Sequence, residues 1–200
     1  MQKYFICLLI FIVGTVTLSG QTEVPRRTTF SISVFVHSLG VPFKDFVKTP
    51  LNFGFTAGVE FDYSNTGRGN NFQRFELGWF HHKNLNTGVW VKTDYIRRIN
   101  NEDGLFADFQ GGLGYLRDFS NNQSFSLNKN GQYQLNKNSS NGGLLIGLGI
   151  GSGYGINLDE EYTLSPFVRY EALIQTPYAE IINFFPHLLL HTGAKLNKNQ

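Results

Sequence analysis

The chain has 200 residues and a formal charge of +2, from 17 Lys and Arg against 15 Asp and Glu. No basic run accompanies that near-neutral balance, which argues against a nucleic-acid partner. Aromatic residues reach 15% while charged residues are only 16%, yet after Val16 no stretch approaches the apolar length of a membrane-crossing helix, which needs about 20 residues.

Taken in chain order, the first element is a targeting segment. Lys3 gives a short positive region, Tyr4 to Val16 is an almost unbroken apolar run, and Thr17, Leu18, Ser19 and Gly20 are small or polar. This layout predicts a secretory signal peptide over residues 1–20, cleaved near Gly20–Gln21, with a short lead over 21–27. The only cysteine, Cys7, lies inside that signal. The mature chain is therefore expected to hold no thiol, no disulfide and no cysteine-ligated metal.

From 28 to 197 the sequence alternates with period two, the pattern of strands between two different environments. Phe30, Ile32, Val34 and Val36 oppose Ser31, Ser33, Phe35 and His37. Leu51 to Tyr63 places Phe53, Phe55, Ala57, Val59 and Phe61 opposite Asn52, Gly54, Thr56, Gly58, Glu60 and Asp62. Further strands follow around Arg74–Trp79, Val89–Tyr95, Leu105–Tyr115, Gly143–Asn157, Tyr162–Ala172 and His187–Leu196, which makes eight. Ordinary strands average about 5–6 residues. Many here are longer and suit a membrane-spanning strand of about 9–11 residues. Only a closed barrel satisfies every backbone group of a sheet in lipid. The prediction is an all-β, eight-stranded, antiparallel up-and-down transmembrane barrel over 28–197, with its apolar face outward.

The connections fit that arrangement, with one exception, the short Asn84–Thr87. Leu39–Pro50, Asn84–Thr87, Asp118–Asn141 and Ile174–Pro186 fall at one end, and Ser64–Asn71, Arg98–Asp103 and Leu158–Glu160 at the other. Long loops at one end and short turns at the other characterise outer-membrane barrels. The third loop, "SFSLNKNGQYQLNKN", is expected to form a hairpin with Asn130-Gly131 as its turn.

The stretch "GLLIGLGIGSGYGI" looks at first like a nucleotide loop. Its glycines, Gly147, Gly149, Gly151, Gly153 and Gly155, are spaced strictly by two, and Leu144, Ile146, Leu148, Ile150 and Tyr154 lie between them. A dinucleotide fingerprint needs a different spacing and a following helix, so this is a strand with a bare inner face. Gly112 and Gly114 extend that hollow on the strand before it. An eight-stranded interior just holds side chains. The inward positions offer Glu60, Asp62, Arg74, Glu76, Lys92, Asp94, Asp108, Gln110, Arg169, Glu171 and Lys195. Mixed signs predict a paired ionic plug, and a narrow polar pore is the alternative.

Histidines supply the candidates for chemistry. His37 ends strand one, and His187 and His191 lie on strand eight, its neighbour in a closed barrel. With Glu171 and Arg169 nearby, a His–carboxylate pair is the minimum for general-base chemistry. His37, His187, His191 and Glu171 are thus the candidate catalytic residues of an acyl hydrolase or transferase. Their spacing gives no metal-site signature, and no cofactor is expected.

Four stretches, "HSLGVPFKDF", "FELGWFHHKNLNTGVWVKTDY", "GLFADFQGGLGYL" and "PHLLLHTGAKL", make the chain resemble small outer-membrane β-barrel proteins of the Bacteroidota. That resemblance implies an outer-membrane location and transfers no catalytic residue. Outer-membrane lipid A deacylases carry a His-x-Ser pair on a strand, whereas here Ser38 follows His37 directly. The expectation is a monomeric barrel with a filled interior and a structural or surface-interaction role. Its partners would be lipopolysaccharide, phospholipid and the barrel assembly machinery. A lipid-modifying enzyme and a soluble lipocalin-like binding barrel are the competing readings.

Overall fold

A long strand with one apolar and one polar face needs a backbone partner on each edge and a different environment on each side. In a computed structural model, describing residues 28–38, 52–66, 69–82, 86–120, 124–127, 132–136, 140–177 and 183–198, closure meets the first need. The long strands are β1 (Thr28–Ser38), β2 (Asn52–Thr66), β3 (Gly69–His81), β4 (Asn86–Asn100), β5 (Leu105–Ser120), β8 (Ser140–Tyr154), β10 (Tyr162–Thr176) and β11 (Phe185–Lys198). Each pairs antiparallel with the next, and β11 pairs with both β10 and β1, so no edge is left open. The short β9 (Ile156–Asn157) continues the line of β8 beyond Gly155 and pairs with β10. The fold is a closed eight-stranded antiparallel barrel, and no helix occurs among the described residues.

Two short strands, β6 (Ser124–Leu127) and β7 (Tyr133–Asn136), form a separate hairpin between β5 and β8. Its register sets Phe125 opposite Leu135 and Leu127 opposite Tyr133. The expected turn at Asn130-Gly131 lies outside the described residues, as do the expected signal over 1–20, the lead over 21–27 and the loop at Leu39–Pro50.

The strands run further than the apolar alternation suggests. β2 reaches Thr66, β4 reaches Asn100, β5 reaches Ser120 and β10 reaches Thr176. The added ends, such as "SNT" and "RRIN", are polar. Ladder bonds continue there although the apolar signal has stopped. A register shift between Asp62 and Ser64 marks a bulge in the β2–β3 ladder.

The two faces differ sharply. Outward residues such as Ile32 (67% exposed), Leu77 (59%) and Leu148 (72%) form a continuous apolar belt. Among the described strands, Asp, Glu, Lys or Arg occurs outward only at Arg97, Arg117 and Lys198. Arg97 pairs with Phe109 and Val89 with Arg117. The two arginines thus mark opposite borders of the belt. The charge-free rows between them cover roughly 26 Å along the strand at ~3.3 Å per residue.

Candidate functional site: the barrel interior

The interior is built in tiers, set by side-chain contacts across the lumen; because barrel strands tilt, a single register row, Glu60–Arg74–Asp94–Gly112–Gly147–Leu173–His187, climbs from one tier to the next. Nearest the short turns, Lys195 Nζ meets Glu60 Oε1 at 2.9 Å and Asp108 Oδ2 at 2.8 Å. Arg98 Nε lies 2.7 Å from Asp108 Oδ1, and its Nη2 lies 3.3 Å from Glu60 Oε2. Aromatic faces support both cations, with Arg98 4.6 Å from the Phe72 ring centre and Lys195 5.3 Å from that of Phe167. Below them a cavity of about 170 Å³ opens at the turn end, lined among others by Asp62, Asn70, Thr163, Ser165 and Asn197.

The next tier crosses the lumen. Arg74 Nη2 donates to Asp94 Oδ2 at 2.7 Å and to Gln110 Oε1 at 2.8 Å. Lys92 bonds Glu171 and lies 3.4 Å from Glu76 and 3.2 Å from Asp94. Arg169 Nη2 donates to Glu76 Oε2 at 2.8 Å. Arg74, at 3.7 Å from Glu60, ties the two tiers together. Five cations (Arg74, Lys92, Arg98, Arg169, Lys195) face five carboxylates (Glu60, Glu76, Asp94, Asp108, Glu171). Equal numbers matter because a buried charge is tolerable only when it is paired and hydrogen-bonded.

Toward the loop end an apolar tier of Phe35, Phe80, Trp90, Leu116, Leu145, Leu173 and Leu189 closes the barrel. Above it His37, His187, Gln175 and Asp118 form one chain of hydrogen bonds. His37 Nε2 lies 3.0 Å from His187 Nδ1, His187 Nε2 lies 3.2 Å from Gln175 Oε1, and Gln175 Nε2 donates to Asp118 Oδ2 at 3.0 Å. His37 packs on Phe80 with ring centres 4.5 Å apart, and a void of about 10 Å³ lies where the histidines meet the apolar tier, the scale of a single water.

The glycines explain how so much fits inside. A Cβ built at Gly149 would sit 2.6 Å from Gln110 Nε2, and one at Gly114 would sit 2.5 Å from Lys92 Cβ. At Gly112 it would collide with Asp94, at Gly147 with Leu173, at Gly153 with Phe106, at Gly78 with Trp90 and at Gly54 with Phe35. In each case the colliding residue is the glycine's registered partner on the adjacent strand. The hollow is filled from next door rather than from the opposite wall. Gly151 and Gly155 carry looser contacts, the nearest at 3.2 and 3.7 Å.

The four candidate catalytic residues fall into two groups. His37 and His187 lie above the apolar tier, whereas His191 and Glu171 lie below it. His191 Nε2 is 3.3 Å from Glu171 Oε2, and its Nδ1 is 3.0 Å from Ser33 Oγ. Serine, histidine and carboxylate are therefore in sequence. The arrangement nonetheless lacks two requirements of a nucleophile and base. Arg169 Nη2 lies 3.0 Å from His191 Nδ1 and 3.3 Å from its Nε2, so a cation already stands against the ring that would have to take the hydroxyl proton. Ser33 also bonds Thr56 Oγ1 at 2.7 Å, and Ser33, His191 and Glu171 are all buried. Among the described residues no group of three or more His, Cys, Asp or Glu is arranged to hold a metal ion.

Sequence reasoning missed Arg98, Asp118 and Gln175. It assigned them to connections, although each continues the inward parity of Asp94, Asp108 or Glu171 on its own strand. Asp62 lies at the rim of the turn-end cavity.

No protein-family model matches the chain, and no curated protein does. Solved structures do. Neisserial surface protein A aligns over 88% of this chain and 98% of its own, with a TM-score of 0.50 and 11% identity. The N-terminal β-barrel domain of Pseudomonas aeruginosa OprF covers 84% and 96%, at 0.45 and 14%. Ail, the attachment invasion locus protein of Yersinia pestis, covers 84% and 97%, at 0.42 and 12%. At such identities the likeness is one of fold, the closed eight-stranded barrel that this chain shares with Neisserial surface protein A.

Proposed function

We propose that this protein is exported and inserted in an outer membrane as a barrel with a filled interior. Its role is structural or one of surface interaction through the loop end, not catalysis or conduction. One observation carries the reading. Apolar side chains cover the outer wall, while five paired cations and five paired carboxylates fill the inside. A soluble binding barrel would reverse these faces, with a dry apolar ligand cavity inside and polar groups in water. Large exposed apolar patches mark contact with a partner or membrane, and here the belt encircles the molecule. The enzyme reading loses support because its candidate side chains point into a closed interior, away from lipid.

Membrane fractionation with gel mobility tests this. The expected result is a protein in the membrane fraction that needs detergent for release and migrates differently before and after boiling. Recovery in the soluble fraction, with no heat-dependent shift, would overturn the reading.

A further inference from the structure

Arg117 is one of three charged residues that face outward among the described strands, and it stands at the loop-end border of the apolar belt. Its surroundings are specific. The guanidinium Nη2 donates to Ser140 Oγ at 3.2 Å and lies 5.8 Å from the centre of the Phe119 ring. Gly142, level with Arg117 on β8, leaves space that the Tyr115 hydroxyl enters, so a second hydroxyl reaches the same height. Ser140 and Phe119 are both neutral, so neither balances the guanidinium charge. The next residue, Asp118, faces the opposite way and bonds Gln175 inside.

A guanidinium at the edge of an apolar belt keeps its charge hydrated by reaching toward headgroups. Planar donors on arginine, with adjacent hydroxyls, match the oxygens of a phosphate. We propose that Arg117, Ser140 and Tyr115 form a binding site for the phosphate of an anionic lipid headgroup in the leaflet at the loop end. Phe119 packs beside the headgroup, and the apolar rows below take the acyl chains. This inference rests on the membrane location proposed above. Arg97, at the other border, also has a neutral partner, its Nη1 donating to Asn71 Oδ1 at 2.8 Å, and compares a guanidinium beside an amide with one beside two hydroxyls.

The test uses the full chain in a nonionic detergent, with lipid adducts counted by native mass spectrometry. Phosphatidylglycerol should bind and phosphatidylcholine should bind far less. Arg117→Ala should weaken phosphatidylglycerol binding about tenfold, the scale of one lost charge-assisted hydrogen bond, and Arg117→Lys should retain part of it. Arg97→Ala should weaken it less than Arg117→Ala, and an equal loss would show that any border guanidinium suffices and would overturn the site. Inorganic phosphate at millimolar concentration should not displace the lipid. Equal adducts in Arg117→Ala, equal binding of the two lipids, or displacement by inorganic phosphate would each overturn the proposal. Heat-modifiable mobility of every variant confirms that the barrel is intact. A folded, membrane-extracted barrel with unchanged adducts sinks this site alone, whereas a soluble protein sinks the membrane reading beneath it.

Discussion

Lys92 shows what a single buried charge does in this barrel. Its ammonium serves Glu171, Glu76 and Asp94 at once, and it is 3% exposed. Lys92→Met would leave those carboxylates, all buried, sharing one cation fewer. Removing one partner of a buried pair costs about 3–5 kcal/mol. The expected loss is therefore of that size, against about 0.5 kcal/mol or less for the same change at exposed Lys198. Adding Glu171→Gln to Lys92→Met should recover part of the loss, because the two residues are coupled. Urea unfolding in lipid vesicles, followed by tryptophan fluorescence, measures all three. Equal stability of the Lys92 and Lys198 variants would contradict the paired plug. Much of this network was legible in the sequence, because Arg74 and Glu76 alternate with Phe75 and Leu77, and Lys92 and Asp94 alternate with Val91, Thr93 and Tyr95. The meeting of Ser33 with His191 was not legible. It depends on β1 and β11 pairing at closure in one register, and no local pattern encodes that register.

At the scale of the strand, the organising unit is a glycine paired with a large inward neighbour. Trp90 leans over Gly78 on β3, Gln110 over Gly149 on β8, and Phe35 over Gly54 on β2. Such pairs relieve crowding inside a narrow barrel and also fix register, since a slip by one residue would set each bulky group over a side chain. Gly78→Ala drives a Cβ into the Trp90 indole, which already packs against Phe35 at 5.4 Å and Phe80 at 5.9 Å. Overpacking of this kind costs about 1–3 kcal/mol. Gly155→Ala meets nothing closer than 3.7 Å and should stay within about 0.5 kcal/mol of the parent. The temperature at which the folded gel band disappears should fall for the first variant and hold for the second. If both behave alike, the glycine stripe reflects composition rather than packing. Strand ends were the least legible elements. The stretch "YIRRIN" loses its apolar alternation while its hydrogen-bond ladder with β5 continues to Asn100, so Arg98 looked like a turn residue although it points into the lumen.

For the whole molecule, the order of the tiers along the axis decides whether anything passes through. From the turn end, a polar cavity of about 170 Å³ ends on Arg98 and Lys195, the ionic tier crosses behind them, and the apolar tier closes the loop end. An ion moving through would have to break paired buried charges and then cross a dry ring of side chains, each step unfavourable by itself. The protein in a planar lipid bilayer should therefore show no resolved single-channel current at 100 mV, a potential worth about 2.3 kcal/mol per elementary charge. Trp90→Ala removes the largest side chain of the apolar tier, yet Arg74, Lys92 and Arg169 still span the lumen beneath it. That variant should also stay closed while losing about 3–5 kcal/mol of stability. Discrete openings in the parent protein would mean that the ionic tier rearranges under voltage into a passage, and the filled interior would then be a gate rather than a plug. Openings in Trp90→Ala alone would assign closure to the apolar tier and leave the charges with a stabilising role only.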